Sequence, residues 1–387
     1  TTPDDLTATS SSVGPLPVGA ECTVTETEDQ GAAGVEITQP QPVTITPAAQ
    51  GPVEVTVTNT FNTGELTVAK VVDGDAAGGI PDGTVFEVNV TCDFLGSEFL
   101  NDEFEIAYPT PGSITLSDLP IGAKCAVTET NDQGAQDVQI TPTQPVTITG
   151  DETQADVTVT NTFEPGLLLL EKALSGSGAV FLPDGTTFTV EAACTFDGND
   201  VPGFDPWVVD LVTPDQLQAR STDNGPLPIG SQCTVTETED QGAQSVEITP
   251  DQPVTIGGDD DPTRVTVENT FRTGELTVTK VVDGPGALFV PDGTVFTAEV
   301  RCEYLGQPVN GFNPFTVDLT TPGGLNQTVG PLPIGAECTV TETEDNGAQD
   351  VQFVQPGPIK GREEDPVEAT ITNTFETDEF TVTKVVD

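Results

Sequence analysis

Lysine is rare in this chain, with six among 387 residues. Four of the six, Lys70, Lys172, Lys280 and Lys384, close a strand-like run such as GELTVAK (64–70) or GELTVTK (274–280). In that run Leu66, Val68 and Lys70 alternate, so a lysine takes the third place on the face that has to be buried. Two further polar residues interrupt apolar faces with the same regularity. Cys125, Val127 and Glu129 share one face, and Val157, Val159, Asn161 and Phe163 share another. The sets recur as Lys172, Glu237, Asn269 and as Lys280, Glu342, Asn373, with Glu26 and Asn59 near the start of the chain and Lys384 near its end.

A lone buried ammonium or carboxylate is costly, so these groups are expected to meet. Burial lowers a lysine pKa and raises a glutamate pKa. A neutral amine is a nucleophile, and a protonated carboxyl can polarise an amide carbonyl. Attack by Lys70 on the side-chain carbonyl of Asn161 would expel ammonia and leave a Lys–Asn isopeptide bond, with Glu129 shuttling the protons. The same reading pairs Lys172 with Asn269 through Glu237, and Lys280 with Asn373 through Glu342. It needs no cofactor and no metal. Taken singly, each residue has a plainer reading: a strand-end lysine snorkelling to water, a capping asparagine, a solvated Thr-Glu-Thr run. Recurrence of all three in phase with the apolar face favours the chemistry. Glu239 and Glu344 fail that test, because Asn131 stands at their place in the first complete set.

The elements that carry these residues are internal repeats. LPIGAKCAVTETNDQGA (119–135) returns with small changes at 16–32, 227–243 and 332–348, and VTVTNTF (157–163) returns at 55–61, as VTVENTF at 265–271 and as ATITNTF at 369–375. Lysine spacings of 172 − 70 = 102, 280 − 172 = 108 and 384 − 280 = 104 make each unit one small domain. The units are 64–165, 166–273 and 274–376, preceded by the back part of a unit (1–63) and followed by the opening strand of another (377–387). Runs of four to eight residues alternate Val or Leu with Thr or Glu between clusters such as PDG, DQGA and TPG. The expected fold is all-β: a tandem array of Ig-like antiparallel β-sandwiches. Joints as short as Glu164-Pro165-Gly166 favour a stiff rod. Because the chain opens at Thr1 and the repeat breaks off at both ends, it is expected to be a piece of a longer or processed product.

Each complete unit carries two cysteines on inward faces: Cys92 and Cys125, Cys194 and Cys233, Cys302 and Cys338. In an oxidising compartment these should pair, and the partner of the seventh, Cys22, would fall in the absent front part of its unit. Buried free thiols in a cytosolic protein are the alternative. Composition narrows the function. With 63 acidic and 11 basic residues the net charge is −52, which repels nucleic acid and anionic membranes. There is no histidine, the commonest general base, and no nucleophile or phosphate-loop motif, so an enzyme acting on an external substrate is disfavoured. No run is long enough to span a membrane; the longest leucine run is Leu167–Leu170.

These motifs resemble the B-type repeats of Gram-positive collagen-binding adhesins and pilins, the CnaB-type or prealbumin-like sandwiches. The resembling segments are the opening ELTVTKVVDG, the middle LPIGAxCTVTET and the closing VTVTNTF, and they cover essentially the whole chain. The resemblance implies autocatalytic intramolecular isopeptide bonds and domains that build extracellular stalks and shafts. A cysteine (Cys125, Cys233, Cys338) stands where that family usually has an aromatic residue.

The expected function is a structural stalk of a surface adhesin, pilus or fibre. Its expected partners are neighbouring repeats or like subunits. The alternative is a ligand-binding adhesin region recognising a host or matrix protein through the variable segments 93–110, 195–221 and 303–321. Phe204 and Trp207 are the one aromatic-rich patch there, and the plainer expectation is that Trp207 packs within its own unit. A calcium-stabilised array using Asp259-Asp260-Asp261 is a third reading, without EF-hand spacing to support it. A last alternative lets the tail strand with Lys384 complete the Glu26–Asn59 head of the next subunit.

Overall fold

The computed structural model describes residues 15–150, 155–204, 206–258, 262–361 and 367–385. By internal contacts the chain divides into two compact units, Thr1–Ala77 with Asp82–Phe163, and Gly78–Pro81 with Glu164–Asp387. Strands dominate both, as the Val/Thr alternation requires.

The first complete repeat shows the plan. Its strands are β1 (Thr63–Asp73), β2 (Val85–Phe94), β3 (Ser97–Ala107), β4 (Ser113–Pro120), β5 (Lys124–Asn131), β6 (Asp137–Thr141), β7 (Val146–Thr147) and β8 (Ala155–Thr162). One sheet runs β6-β8-β1-β4 and the other β7-β5-β2-β3. Between them lies the core of Leu66, Val68, Val88, Val90, Ile106, Val127, Val157 and Val159, the alternate residues of each strand. This is a two-layer sandwich.

One pairing departs from the antiparallel expectation. β1 and β8 lie side by side in parallel, with Val68 opposite Val157 and Lys70 opposite Val159. Leu168–Ser175 against Thr263–Thr270, and Thr273–Asp283 against Val367–Thr374, repeat the parallel register. Parallel neighbours need a long crossover, and here the crossover is the rest of the domain. The first and last strands of each repeat are therefore hydrogen-bonded to each other, a relation that strand alternation cannot reveal.

The cysteines pair as their facing positions suggest. Cys92 is directly opposite Cys125, Cys194 opposite Cys233 and Cys302 opposite Cys338, each pair with Cα atoms 4.1 Å apart and bridged. Cys22 is free.

Among the described residues the incomplete repeat at the start forms two strand pairs, Glu21–Cys22 with Val43–Thr44 and Gly34–Ile37 with Val57–Thr60. At the other end residues 375–385 form no strand. Phe380 and Val382 align with the fully buried Leu276 and Val278, yet they are exposed, because a strand without a neighbouring sheet has nothing to bond to. Among the described residues no helix is long and apolar enough to cross a membrane, and no group of three or more acidic or cysteine side chains could hold a metal ion. Asp259, Asp260 and Asp261 lie outside the described residues.

Candidate functional site

Each complete repeat places a lysine, a glutamate and an asparagine at the centre of its sandwich, and the local sequence explains how. Lys70 on β1 and Asn161 on β8 share the inward face of one sheet. Because Lys70 is opposite Val159 and Asn161 opposite Val72, the two are diagonal neighbours. Glu129 reaches them from β5 of the facing sheet. There Val88 is opposite Glu129 but Glu87 is opposite Asn131, so Thr130 is the extra residue of a bulge immediately after the glutamate. The same shift follows Glu237 and Glu342. A bulge re-aims side chains, and here it ends the regular pairing at the residue that carries the carboxylate.

In the first complete repeat Lys70 Nζ lies 2.8 Å from Glu129 Oε1, and the two side chains are 0 % and 3 % exposed. Lys172 lies 3.2 Å from Glu237 and Lys280 2.7 Å from Glu342, equally buried. Each ammonium also faces an aromatic ring: Lys70 is 4.3 Å from the centre of Phe86, Lys172 4.8 Å from Phe188 and Lys280 4.6 Å from Phe296. In the second repeat Lys172 donates to the carbonyl of Val267 at 3.1 Å.

The asparagine is held by its nitrogen. Asn161 Nδ2 donates to Glu129 Oε1 at 3.2 Å and to the backbone carbonyl of Asp132 at 3.1 Å. Asn269 and Asn373 donate to the carbonyls of Asp240 and Asp345, both at 3.2 Å. A carbonyl can only accept, which fixes the amide with nitrogen toward the turn. Oδ1 of all three asparagines is buried and has no hydrogen-bond partner.

This geometry revises one expected role. In the first complete repeat the carboxylate stands at the amide nitrogen, not at the amide oxygen, and a single oxygen, Glu129 Oε1, touches both the Lys70 amine and the Asn161 side-chain nitrogen.

Burial dominates the electrostatics. Loss of water pushes the pKa of Lys70, Lys172 and Lys280 down, against the pull of the neighbouring carboxylates. The same desolvation pushes Glu129 and Glu237 up, more than the adjacent lysines lower them. Both shifts favour moving the proton from amine to carboxylate, which leaves a neutral pair.

Several supporting residues escaped the sequence reading. The aspartate of each DQGA or DNGA cluster makes the turn that presents its own carbonyl: Asp132 Oδ1 accepts from the Gly134 amide at 2.8 Å, with Gln133 at φ 56° between them. The Gln133 side chain then donates to the Val85 carbonyl at 2.7 Å, and Gln241 and Asn346 make the same tie to Thr187 and Val295. Gln144, Gln252 and Gln355 accept from the amides of Val127, Val235 and Val340, bracing the strand that carries the glutamate. The signal for Phe86, Phe188 and Phe296 was the fixed spacing after each Pro-Asp-Gly-Thr; periodicity alone reads them as ordinary core.

The partial sets are half-built. Asn59 donates to Glu26 at 2.9 Å and to the Asp29 carbonyl at 3.4 Å, with no lysine alongside. Lys384 is exposed in the irregular tail. Phe204 and Trp207 are buried together with ring centres 6.0 Å apart, so the aromatic patch is interior, as the plainer expectation held.

A family model described as a domain of unknown function, DUF5979, matches residues 1–62, 66–164, 168–272 and 276–376. The chain belongs to that family. Its DUF5979 repeats are similar to solved structures of surface proteins. Two B repeat units of the collagen-binding protein of Staphylococcus aureus share 16 % identity over 83 % of this chain and 77 % of that one, with a TM-score of 0.22. The Bacillus anthracis TIE protein shares 18 % identity over 84 % of this chain and 52 % of that one, with a TM-score of 0.36. The major pilin T-13 of Streptococcus pyogenes shares 15 % identity over 54 % of this chain and 97 % of that one, with a TM-score of 0.29. No curated protein matches the chain.

Proposed function

We propose that each complete DUF5979 repeat closes an isopeptide bond in its own core, and that the array serves as a covalently stapled stalk of an extracellular surface adhesin, pilus or fibre. The neutral amine of Lys70 attacks Cγ of Asn161. Glu129, carrying the proton that left the ammonium, gives it to Nδ2 and takes the proton the attacking amine releases, and the C–N bond to Nδ2 breaks as ammonia leaves. One amide is exchanged for another, so nothing is oxidised and no cofactor is required. Lys172, Glu237 and Asn269, and Lys280, Glu342 and Asn373, take the same roles. Glu26 with Asn59, and Lys384, are the corresponding parts of the incomplete units. The reaction turns over once, so the protein is not an enzyme toward other molecules.

The observation that carries the proposal is the position of Glu129 Oε1, 2.8 Å from the amine and 3.2 Å from the departing nitrogen inside a sealed core. A merely structural polar cluster has no need to bring an amine with a lowered pKa against an amide whose oxygen is left without a partner. The experiment is intact mass under denaturing, reducing conditions. The expected deficit is one ammonia per complete repeat, three in all. A mass equal to the plain sequence means that Lys, Glu and Asn form only a polar cluster and that disulfides are the sole staples. An extracellular site fits those three disulfides.

A further inference from the structure

The turn that follows the glutamate strand holds a conformation that its residue types disfavour. Gln133, Gln241 and Asn346 lie at φ 56°, 56° and 53°, in the left-handed region, each just before a glycine. A glycine would sit there without strain, and any other residue costs energy. A larger side chain held there in all three complete repeats points to a task for that side chain. Its contacts show the task. Gln133 Nε2 donates to the Val85 carbonyl, Gln241 Nε2 to the Thr187 carbonyl and Asn346 Nδ2 to the Val295 carbonyl, each at 2.7 Å.

Both ends of that hydrogen bond adjoin the reacting groups. One residue before Gln133, the Asp132 carbonyl accepts from Asn161 Nδ2 at 3.1 Å and from the Ala135 amide at 3.2 Å. The carbonyls of Asp240 and Asp345 do the same for Asn269 and Asn373, at 3.2 Å. One residue after Val85, Thr187 and Val295 come Phe86, Phe188 and Phe296, whose rings face the lysines. A single side chain thus registers the clamp on the asparagine against the wall of the lysine. The clamp decides which way the amide points, because a reversed amide would set Oδ1 against the Asp132 carbonyl, acceptor against acceptor. The backbone amide of Gln136 ties the other end of the turn to Thr162 of the closing strand at 2.9 Å, and Gln133 adds the tie to β2.

We propose that Gln133, Gln241 and Asn346 are positioning residues for isopeptide closure: each fixes the turn whose carbonyl orients the asparagine amide that the lysine attacks. The inference rests on the isopeptide reading and adds to it a residue that touches none of the reacting atoms. Asn346 is one methylene shorter than Gln133 yet reaches its carbonyl at the same distance, so the required feature is the amide donor and not the length of the side chain.

Cell-free synthesis of the full chain under oxidising conditions starts from unreacted protein. Peptide mapping at intervals then scores the Lys70–Asn161 cross-link against Lys172–Asn269 in the same molecules. Gln133→Gly removes the tie without straining the backbone. It should slow closure of the first complete repeat by roughly tenfold to a hundredfold, the cost of a misplacement of about 1 Å, and leave the second repeat unchanged. Gln133→Asn, which copies the third repeat, should restore the rate. Lys70→Met cannot cross-link, and in that background Gln133→Gly should lower amide-exchange protection of β2 by no more than about tenfold, the worth of one hydrogen bond. A loss of protection as large as the loss of rate would make the role structural and overturn the inference. So would Gln133→Asn closing as slowly as Gln133→Gly. Closure of Gln133→Gly at the wild-type ratio overturns this inference alone, whereas a wild type with no cross-link overturns the isopeptide reading with it.

Discussion

Asn161→Ala removes the electrophile from the first complete repeat and leaves the Lys70–Glu129 pair intact. What is lost depends on whether the bond has formed. If it has, the loss is the covalent loop. The bond would close 161 − 70 = 91 residues, but the disulfide 92–125 already short-circuits 33 of them, leaving an effective loop of 91 − 33 = 58. In the chain-entropy model such a loop is worth about 4 kcal/mol. If it has not, the loss is the pair of hydrogen bonds from Nδ2 to Asp132 and Glu129, about 1 kcal/mol net apiece. A cross-linked repeat, whose Nδ2 has left as ammonia, should therefore lose about 4 kcal/mol, and an uncross-linked one only about 1–2 kcal/mol. A chain of several repeats does not unfold in one step, so a single transition temperature cannot report this. Amide hydrogen exchange of the peptide spanning β2 can, because its core amides open only when the repeat unfolds. The expected fall in protection is about three orders of magnitude, against about one order for a hydrogen-bonded cluster alone. Intact mass of the same sample should show two ammonia lost in place of three. A fall of about tenfold or less with no change in the mass deficit would refute the cross-link in this repeat.

The buried pair gives a pH signature once the bond is prevented. In the Asn161→Ala background Lys70 has a lowered folded pKa, so between that value and its ordinary 10.5 the unfolded chain binds more protons and stability rises with pH. Glu129 has a raised folded pKa, so from its ordinary 4.5 up to that value the folded chain binds more protons and stability falls as pH rises. The pair's contribution should pass through a minimum between the two windows, measured as the exchange difference from Asn161→Ala/Lys70→Met/Glu129→Leu; a flat difference would contradict the burial-driven shifts. Replacing Cys92 and Cys125 with serine should lower protection of the first repeat by the equivalent of about 3–4 kcal/mol, from a 33-residue loop, without altering the ammonia deficit. Phe86→Leu keeps the core apolar but removes the ring beside Lys70, so the repeat should fold yet cross-link slowly, seen as a mixture of masses in freshly made protein.

The layout of the candidate site was legible because strand alternation is strict. Lys70, Glu129 and Asn161 each broke an apolar face at a fixed phase, and inward polar residues on facing sheets have only one another to meet. The cysteines were legible for the same reason. Three things were not. The parallel pairing of β1 with β8 joins residues that are a whole domain apart in sequence, and no local pattern encodes it. The bulge at Thr130 adds one residue to a strand whose alternation looks unbroken through Glu129. The position of the carboxylate at the amide nitrogen follows from the Asp132 carbonyl, a backbone atom that residue types do not reveal. The tail shows a limit of another kind: residues 378–384 read as a strand, but strand propensity without a neighbouring sheet leaves them irregular.

The parallel first and last strands decide what the bond would do under load. Tension entering at β1 reaches Lys70 within eight residues of Thr63 and, with the bond closed, crosses to Asn161 and leaves through the closing strand. The intervening residues are bypassed. Without the bond, unfolding one repeat would free 91 residues, on the order of 300 Å of slack. With it, the longest stretch between successive cross-links is 172 − 161 = 11 residues or 280 − 269 = 11 residues, on the order of 40 Å when fully drawn out. The disulfides cannot substitute for this. Cys92–Cys125 joins β2 to β5, both inside the bypassed segment, so it shortens the slack by its 33-residue loop but leaves the path from β1 to β8 unprotected. The two kinds of staple therefore divide the work: the disulfide constrains the unfolded chain, and the Lys–Asn bond, where it forms, keeps force from reaching the fold.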